Sequence, residues 1–309
     1  MPPSLDDSIV LRLAAIYLPG AAAPHLLNGS APSLNRAPLT PFYPHNAIFL
    51  GRVPRPSSDY RYGDKVVAPH LMLYLTQPPH SKEGDSMTFS VYMVRHGQTQ
   101  LNKYRRMQGW CDSPLTAKGI ADAHKAGRHL AQINFDRVYH SDMTRTARTC
   151  KIIMDENQAT PQFDTPTALH YFREQCYGYF EGQDSANTWI MVGMPHGCKT
   201  FEELITKFSL EKSRDMMKAV DPFHDSESDA EFWERVDAGF DLLRQNHHDG
   251  DRVLLVSHGT CIRSIVHRYA PEIDIVKERP LNGSVTKLTV SPNNIQVAYY
   301  DHYRDDQEY

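Results

Sequence analysis

The sequence has no apolar run long enough to cross a membrane as a helix. A spanning helix needs roughly 20 mainly apolar residues, and the 309-residue chain contains no uninterrupted stretch of that length. The apolar segment at 9–27 is broken by Arg12 and two prolines, and the charges before it, Asp6 and Asp7, have the wrong sign for a secretory signal. We therefore expect neither a membrane partner nor secretion.

Cysteine and net charge are also scarce. The five cysteines are an odd number, lie far apart and form no C-x-x-C pair, which disfavours a disulfide framework or a cysteine zinc site. A reducing compartment suits such a chain, so we expect a cytoplasmic protein. The formal net charge is only -4, so the sequence predicts no bulk attraction to nucleic acid.

The first 86 residues differ from the remainder of the chain. They hold 13 of the 21 prolines and show no sustained helical or alternating pattern, which predicts an irregular or disordered proline-rich extension over 1–86. Met87 is followed at once by a strand-like segment, so we expect the folded domain to begin near Met87. The extension could then arise from translation at an upstream start, and residues 87–309 alone should be soluble and active.

From Met87 to about residue 300, strand-like and helix-like segments alternate. Strands are predicted at 89–94, 137–140, 252–257, 284–290 and 295–300. Helices are predicted after Thr116 and at 144–156, 201–217, 232–243 and 260–269. The alternation predicts an α/β fold, a three-layer α/β/α sandwich with a mainly parallel sheet. The polar residues 301–309 are expected to form a frayed tail.

A histidine directly follows each of the two clearest predicted strands. These are His96, in the sequence R-H-G, and His258, in the pair H-G. Ligand sites in α/β sheets lie beyond the carboxyl ends of the strands, so we expect both imidazoles at one site. Neutral imidazole is a competent nucleophile towards phosphorus near neutral pH, because its unperturbed pKa is about 6.5.

Arginines in the same segments provide charge for binding an anion. Arg95 precedes His96, but strand alternation would point it away, so a sharp turn at Gly97 is needed to bring both side chains to one site. Arg145 falls in the first turn of a predicted helix, where the dipole disfavours a cation unless an anion is bound. Arg148 shares its face and can equally be a solvated charge. Such cations stabilise the oxygens of a transferring phosphoryl group.

Two further polar side chains are candidates for this site. Asn102 lies in the long polar loop after the first strand and can donate an amide hydrogen bond to phosphate. Glu174 can protonate a leaving alkoxide and then take a proton from attacking water, and a nearby phosphate favours its protonated form. Glu181 is a competing candidate, and an ordinary exposed glutamate is the alternative for either residue.

The other histidines show no comparable pattern. His196 also precedes a glycine, but it follows Met-Pro instead of a strand, so we assign it no central role. The densest cluster, at 247–251, has no recognised metal-ligand spacing, and we interpret it as a solvated loop. The sequence therefore predicts no metal site.

Taken together, these motifs resemble those of the histidine phosphatase superfamily, the phosphoglycerate mutase-like proteins, over about residues 87–300. The ordered signatures are V-R-H-G-Q-T with Asn102, Q-G-W-C-D-S-P-L-T, S-D-M-T-R-T-A-R-T, F-R-E-x-x-x-G-x-x-E-G and V-S-H-G-T-C-I-R. The tripeptide R-H-G is unspecific by itself, whereas this set in this order is highly specific. Residues 1–86 have no counterpart that we recognise.

The resemblance implies a role for each matched residue. His96 would form a phosphohistidine intermediate, Glu174 would be the proton donor, and His258 would complete the catalytic set. The implied phosphate ligands are Arg95, Asn102, Arg145 and the backbone amide of Gly259 or Thr260, since amides at a helix start suit anions. No cofactor is expected, because cationic side chains take the place of a metal. The complete set argues against a non-catalytic module that only binds a phosphorylated ligand, which is the alternative from another class.

The acceptor of the phosphoryl group distinguishes two activities. Water as acceptor makes a phosphatase, whereas a mutase must hold a phosphate at each end of a bisphosphate and needs further cations. The segment from Glu174 to Cys198 contains no lysine or arginine, and it lacks the G-L-N-K-like element of the family's mutases, although Arg105 and Arg106 could reach the site. We therefore favour a phosphomonoester hydrolase over a phosphoglycerate mutase.

The expected partner is a small phosphorylated metabolite. Sugar phosphates, phosphoglycerate, nucleotides and an α-ribazole-type phosphate are all open as substrates, and the sequence does not predict the oligomeric state.

Overall fold

The computed structural model describes residues 87–160 and 165–309. The predicted extension over 1–86 lies outside these described residues. Within them the six strands are β1 Phe89–Arg95, β2 Arg137–His140, β3 Thr167–Ala168, β4 Arg252–Ser257, β5 Val285–Val290 and β6 Ile295–His302. The α-helices of the same part of the chain are α1 Gln100–Lys103, α2 Ala117–His129, α3 Thr144–Glu156, α4 Ser185–Gly193, α5 Phe201–Lys207, α6 Leu210–Val220, α7 Asp229–Asn246 and α8 Gly259–Tyr269. Short 3-10 helices form at His170–Phe172, Gly178–Phe180 and Met194–His196. No described helix is both long and apolar enough to span a bilayer.

The strands form one mainly parallel sheet. Their order is β3-β2-β4-β1-β5-β6. The first four of these run parallel to their neighbours, whereas β5 and β6 pair antiparallel at one edge. β1 and β4 are therefore adjacent and parallel near the centre, in a register that pairs Ser90 with Arg252 and Arg95 with Ser257.

Helices cover both faces of the sheet. Successive residues of a strand point to opposite faces of the sheet. The two central strands, β1 and β4, carry buried apolar residues on both of these faces. The face with Met93 and Leu255 packs against α7 and α8. The face with Val94 and Val256 packs against α2 and α3. The predicted three-layer α/β/α architecture is confirmed.

The helix predicted at 201–217 is wrong as a single element. The structure has α5 and α6 instead, separated at Ser209, whose backbone is extended. The Ser209 hydroxyl accepts a hydrogen bond from the amide of Lys212 at 3.2 Å, so it caps the second helix. We also did not predict α4, which begins after Asp184, where the carboxylate accepts the amide of Asn187.

The C-terminal tail and the histidine cluster also differ from expectation. The last strand continues to His302, and the ring of Tyr309 stacks on that of His129 with 4.3 Å between centroids, so the tail packs on α2 instead of fraying. His247 is only 1% exposed, and its ring contacts the Tyr139 hydroxyl and the Asp251 carboxylate. The solvated-loop interpretation was wrong for this residue, which belongs to the core.

Candidate active site

The register of the two central strands brings His96 and His258 together. Arg95 and Ser257 are register partners, and a histidine follows each of them. Adjacent strands lie about 4.8 Å apart, and the centroids of the two imidazole rings are 5.2 Å apart in an edge-to-face arrangement. Both side chains are buried, with 4% and 0% exposure. The convergence expected from the sequence is therefore present in the structure.

A backbone carbonyl orients His96. Its Nδ1 lies 2.8 Å from the carbonyl oxygen of Gly97, which can only accept, so Nδ1 carries the proton and Nε2 keeps its lone pair. Burial lowers the pKa of His96 well below its ordinary value, and the charges of Arg145 and Arg95 lower it further. The ring is therefore neutral near neutral pH, and Nε2 is available as a nucleophile.

A chain of hydroxyl groups orients His258. Its Nδ1 lies 3.1 Å from Nη2 of Arg145, a donor, so Nδ1 accepts and Nε2–H donates to the Oγ of Ser141 at 2.6 Å. Ser141 in turn lies 3.0 Å from the hydroxyl of Thr146, which donates to a backbone carbonyl. Burial, and after it the charge of Arg145, lowers the pKa of His258 well below its ordinary value. Both imidazoles are therefore held neutral.

Two glycines allow the close packing at this edge of the sheet. A Cβ at Gly97 would lie 2.1 Å from the carbonyl oxygen of Gly119 in α2, and one at Gly259 would lie 3.0 Å from Nε of Arg95. The Arg95 side chain thus lies against the first turn of α8, although strand alternation predicts that it points away from His96. Its Nη1 donates to the carbonyl of Pro280 at 2.6 Å, whereas its Nε is buried without a partner in the described part of the chain. That donor is suited to an anion.

Arg145 and Glu181 hold the loop 109–111 from two sides. Arg145 is 1% exposed and donates to two carbonyl oxygens of the loop at 2.6 and 2.9 Å. The Glu181 carboxylate accepts the three backbone amides of the loop at 2.7–3.2 Å. Glu181, the competing acid candidate, is therefore occupied in organising this loop.

The two arginines of α3 differ in position. Arg145 lies beside His258. Arg148 is exposed, as its alternative interpretation as a solvated charge expects.

The carboxylate of Glu174 lies at the start of α8. One oxygen accepts the amide of Thr260 at 2.8 Å, and the other accepts those of Cys261 and Gln175 at 2.9 and 3.0 Å. A negative charge is favourable at a helix N-terminus. This arrangement corrects our expectation for Thr260, because its amide is bound to Glu174 and is not free for phosphate. The amide of Gly259 is left as the backbone candidate.

A buried ion pair holds the segment that carries Glu174. Arg235 on α7 donates to three carbonyl oxygens between residues 171 and 174, at 2.8–3.0 Å. Its Nε donates to Glu227 at 2.6 Å. A guanidinium that binds several carbonyls at once restrains the backbone more tightly than a point charge does. We did not identify this pair from the sequence, because both residues lie outside the motifs that carry the chemistry.

A cavity of about 270 Å³ opens at this site and adjoins a wider one of about 730 Å³. Several residues named from the sequence line the smaller cavity: Arg95, Asn102, Glu174, Gly259 and Thr260. His96, His258 and Arg145 are not among its lining residues and are buried. The amide Nδ2 of Asn102 lies 3.3 Å from the side-chain oxygen of Gln108, which keeps the amide at the cavity wall.

Three arginines line the wall, and of these only Arg106 was named from the sequence as able to reach the site. They are Arg106, Arg263 and Arg279, and they come from separate segments. The segment 174–198, which has no lysine or arginine, forms only part of the wall, so its lack of cations does not apply to the whole cavity. The spacing of four residues between Gly259 and Arg263, one helical turn, was the signal that could have identified Arg263.

Known proteins share this sequence pattern and this fold. The profile of the Histidine phosphatase superfamily (branch 1) matches residues 91–189 and 193–302. The chain is 30% identical over 225 residues to the 2,3-bisphosphoglycerate-dependent phosphoglycerate mutase of Hamiltonella defensa subsp. Acyrthosiphon pisum, across 68% of this chain and 89% of that protein. It is 44% identical over 75 residues to the probable phosphoglycerate mutase GpmB of Salmonella choleraesuis, across 24% of this chain and 35% of that one. The second match thus spans about a third of its relative.

Solved structures agree with the fold. A phosphoglycerate mutase from Bacillus anthracis str. Sterne superposes with a TM-score of 0.65 at 31% identity, covering 71% of this chain and 95% of that one. An alpha-ribazole phosphatase from Shigella flexneri superposes with a TM-score of 0.52 at 20% identity, covering 71% and 100%; this likeness concerns the fold alone. The expected phosphoglycerate mutase-like architecture is confirmed.

Proposed function

The chain belongs to the histidine phosphatase superfamily, and we propose that it hydrolyses a small phosphorylated metabolite through a phosphohistidine at His96. One observation carries the proposal: the buried, neutral ring of His96 donates its Nδ1 proton to the carbonyl oxygen of Gly97 and lies beside His258, and its Nε2 has no hydrogen-bond partner among the described residues. We assign residues 87–300 as the catalytic domain.

In the first step Nε2 of His96 attacks phosphorus. The N–P bond forms as the ester P–O bond breaks, and the leaving alkoxide takes a proton from Glu174. Arg95, Asn102 and the amide of Gly259 are the donors that we assign to the phosphoryl oxygens. Arg145 adds positive charge next to His258. Stabilising these oxygens is the main task of a site for phosphoryl transfer.

In the second step water replaces the alcohol. The carboxylate of Glu174 takes a proton from the water as its oxygen attacks phosphorus, the N–P bond breaks, and inorganic phosphate leaves. Glu174 lies on the cavity wall, where it can meet both the leaving group and the water. No cofactor enters either step.

A phosphoglycerate mutase is the second candidate. Two observations favour it: the cationic wall formed by Arg106, Arg263 and Arg279, and the names of the relatives that are 30% and 31% identical. In this reaction a second hydroxyl of the substrate, instead of water, would take the phosphoryl group from His96.

A panel of phosphomonoesters, assayed with and without EDTA and 2,3-bisphosphoglycerate, tests the proposal. We expect phosphate release that neither addition changes, together with a labelled phosphohistidine that disappears in His96→Ala. His196→Ala is the matched control, since this histidine also precedes a glycine. Isomerisation of phosphoglycerate without phosphate release would establish the mutase. Ligand binding without turnover or phosphohistidine in the wild type would indicate the non-catalytic module.

A further inference from the structure

We propose that Asn282 and Thr149 are positioning residues for the nucleophile. Together they fix the peptide unit between His96 and Gly97, and thereby the direction of Nε2 of His96. We call the pair the peptide clamp. Neither side chain takes part in the bond changes described above. The inference rests on the proposed function, since it deepens the role assigned to His96.

The peptide unit after His96 is held at both of its ends. Its carbonyl oxygen, which belongs to His96, accepts a hydrogen bond from Nδ2 of Asn282 at 2.9 Å. Its N–H, which belongs to Gly97, donates to Oγ1 of Thr149 at 3.1 Å. A peptide unit is planar, so these two bonds fix the orientation of the whole unit.

The orientation of this unit affects where the His96 ring points. The next carbonyl along the chain, that of Gly97, lies 2.8 Å from Nδ1 of the ring. Glycine has no Cβ to restrict its backbone angles, so Gly97 does not fix that carbonyl by itself. The peptide clamp supplies the restraint. The ring therefore keeps one orientation and one tautomer, in which Nε2 carries no proton.

Asn282 is used differently from an ordinary turn residue. An Asn-Gly pair is common in turns, where the asparagine side chain usually binds nearby backbone. Here main-chain atoms close the turn, because the amide of Ser284 donates to the carbonyl of Leu281 at 3.0 Å. The side chain of Asn282 instead donates to a carbonyl 186 residues away in the sequence.

The segment 280–284, from which this side chain extends, is fixed by contacts of its own. Nη1 of Arg95 donates to the carbonyl of Pro280 at 2.6 Å. The carboxylate of Asp301 accepts the amide of Leu281 at 2.7 Å. Asp301 itself has a positive φ of 55°, which aspartate tolerates better than most residues. A donor on a segment fixed in this way is preorganised to hold the peptide unit.

Thr149 holds the other end of the unit from helix α3. It is fully buried, and its hydroxyl donates to the carbonyl of Arg145, one turn earlier, at 2.8 Å. A hydroxyl has one proton and two lone pairs, so it can still accept the N–H of Gly97. The helix that carries Arg145 is thus linked directly to the nucleophile.

Kinetics of Asn282→Ala and Thr149→Val test the peptide clamp. We would measure by rapid quench the maximal rate of phosphohistidine formation from p-nitrophenyl phosphate and from glycerol 3-phosphate. Each variant should lower this rate about tenfold on both esters, because both require attack by His96. The half-saturating ester concentration should stay within about threefold of the wild type, since the clamp acts on the nucleophile and not on the substrate.

Two further variants separate positioning from general damage. Thr149→Ser keeps the hydroxyl and should restore the rate to within about threefold of the wild type. Asn293→Ala, in the exposed turn between β5 and β6, is the matched control and should be unchanged. An unchanged rate with a raised half-saturating concentration would make Asn282 a substrate contact and overturn the clamp. If Thr149→Val does not fold, the partly exposed Asn282 still decides the test.

The double variant distinguishes one shared role from two independent ones. Both bonds act on the same peptide unit, so once one is lost the other should contribute little. Asn282→Ala combined with Thr149→Val should therefore lose about ten- to thirtyfold. Two independent defects would multiply to about a hundredfold, and a loss of that size would overturn the clamp.

Failure of the proposed function gives a different result, because the state of the ring can be observed without turnover. Heteronuclear NMR of the histidine rings, with His96 assigned by its loss in His96→Asn, should show the Nδ1-protonated tautomer in the wild type. Asn282→Ala should show a mixture of both tautomers. A clamp-dependent tautomer without phosphate release would refute the proposed function alone. An unchanged His96 signal in Asn282→Ala and Thr149→Val would overturn the clamp, whether or not any ester is hydrolysed.

Discussion

The inner and outer parts of the site are built differently. The inner part consists of His96, His258, Arg145 and Glu174, whose exposure is at most 6%, and each of these side chains is hydrogen-bonded to the backbone or to a neighbour that is itself held. The outer part lies along the wider cavity, where Arg106, Lys199 and Arg279 are exposed. Stabilising a developing charge needs preorganised donors, whereas attraction of a charged substrate can also come from exposed cations.

The largest effect should come from the inner carboxylate. Glu174→Gln removes the carboxyl that we propose as the proton donor, so turnover of glycerol 3-phosphate should fall by about 10²–10⁴-fold. Hydrolysis of p-nitrophenyl phosphate should fall much less, because a nitrophenolate leaves without a proton. Rapid-quench measurement of phosphohistidine formation with both esters checks this. An equal loss on both would remove Glu174 from the acid role.

The next largest effect on activity should come from Arg145→Ala. Loss of this preorganised charge beside His258 should lower kcat/KM by about 10²–10³-fold. Arg148→Ala, on the same helix but exposed, is the matched control and should be within about twofold of the wild type. Steady-state kinetics of both variants would show the difference between inner and outer residues. A loss below about tenfold in Arg145→Ala would place Arg145 outside the site.

Substitution of Arg235 tests whether a residue that only positions Glu174 contributes to turnover. Arg235→Lys cannot donate to three carbonyls at once, so Glu174 should be less well placed, and turnover of glycerol 3-phosphate should fall about tenfold. p-Nitrophenyl phosphate should be nearly unaffected, which a general loss of folding would not reproduce. Arg244→Lys on the same helix is the control. Equal losses on both esters would indicate a structural role only.

The smallest effect concerns the pH dependence of stability. Burial lowers the pKa of His96 and His258 in the folded state, so below about pH 6.5 the unfolded chain binds protons that the folded chain does not. Stability should therefore be complete above about pH 6.5 and decline as the pH falls towards the lowered values. Thermal melts from pH 7.5 to 5 should lose a few degrees.

Substitution of His96 separates the contribution of the inner site to the pH dependence of stability from the contribution of the rest of the protein. In His96→Asn the melting temperature should fall less steeply as the pH is lowered, whereas the same change at the partly exposed His196 should leave the slope unchanged. A decline of the same slope in both variants would contradict the assignment to the inner site.

Much of the architecture was predictable because it depends on local pattern. The apolar runs ending at His96 and His258 predicted buried strands, and the alternation of strands and helices predicted the three layers. The break at Ser209 was missed because a single capping hydroxyl divides an otherwise continuous helical pattern. Asp184 was missed in the same way at the start of α4.

The residues of the inner site were already recognisable from the order of their motifs. Two strand-end histidines, Arg145 and Glu174 identify the superfamily, because each residue type in its motif has one physical task and a short stretch of chain places it. The charge of the cavity wall was decided only by tertiary structure. Arg106 could be suspected from the sequence, but only packing shows that it lines one cavity with Arg263 and Arg279, which come from segments far apart in the chain. Packing likewise decided that the amide of Thr260 binds Glu174, since a hydrogen bond depends on distance in space and not on position along the chain.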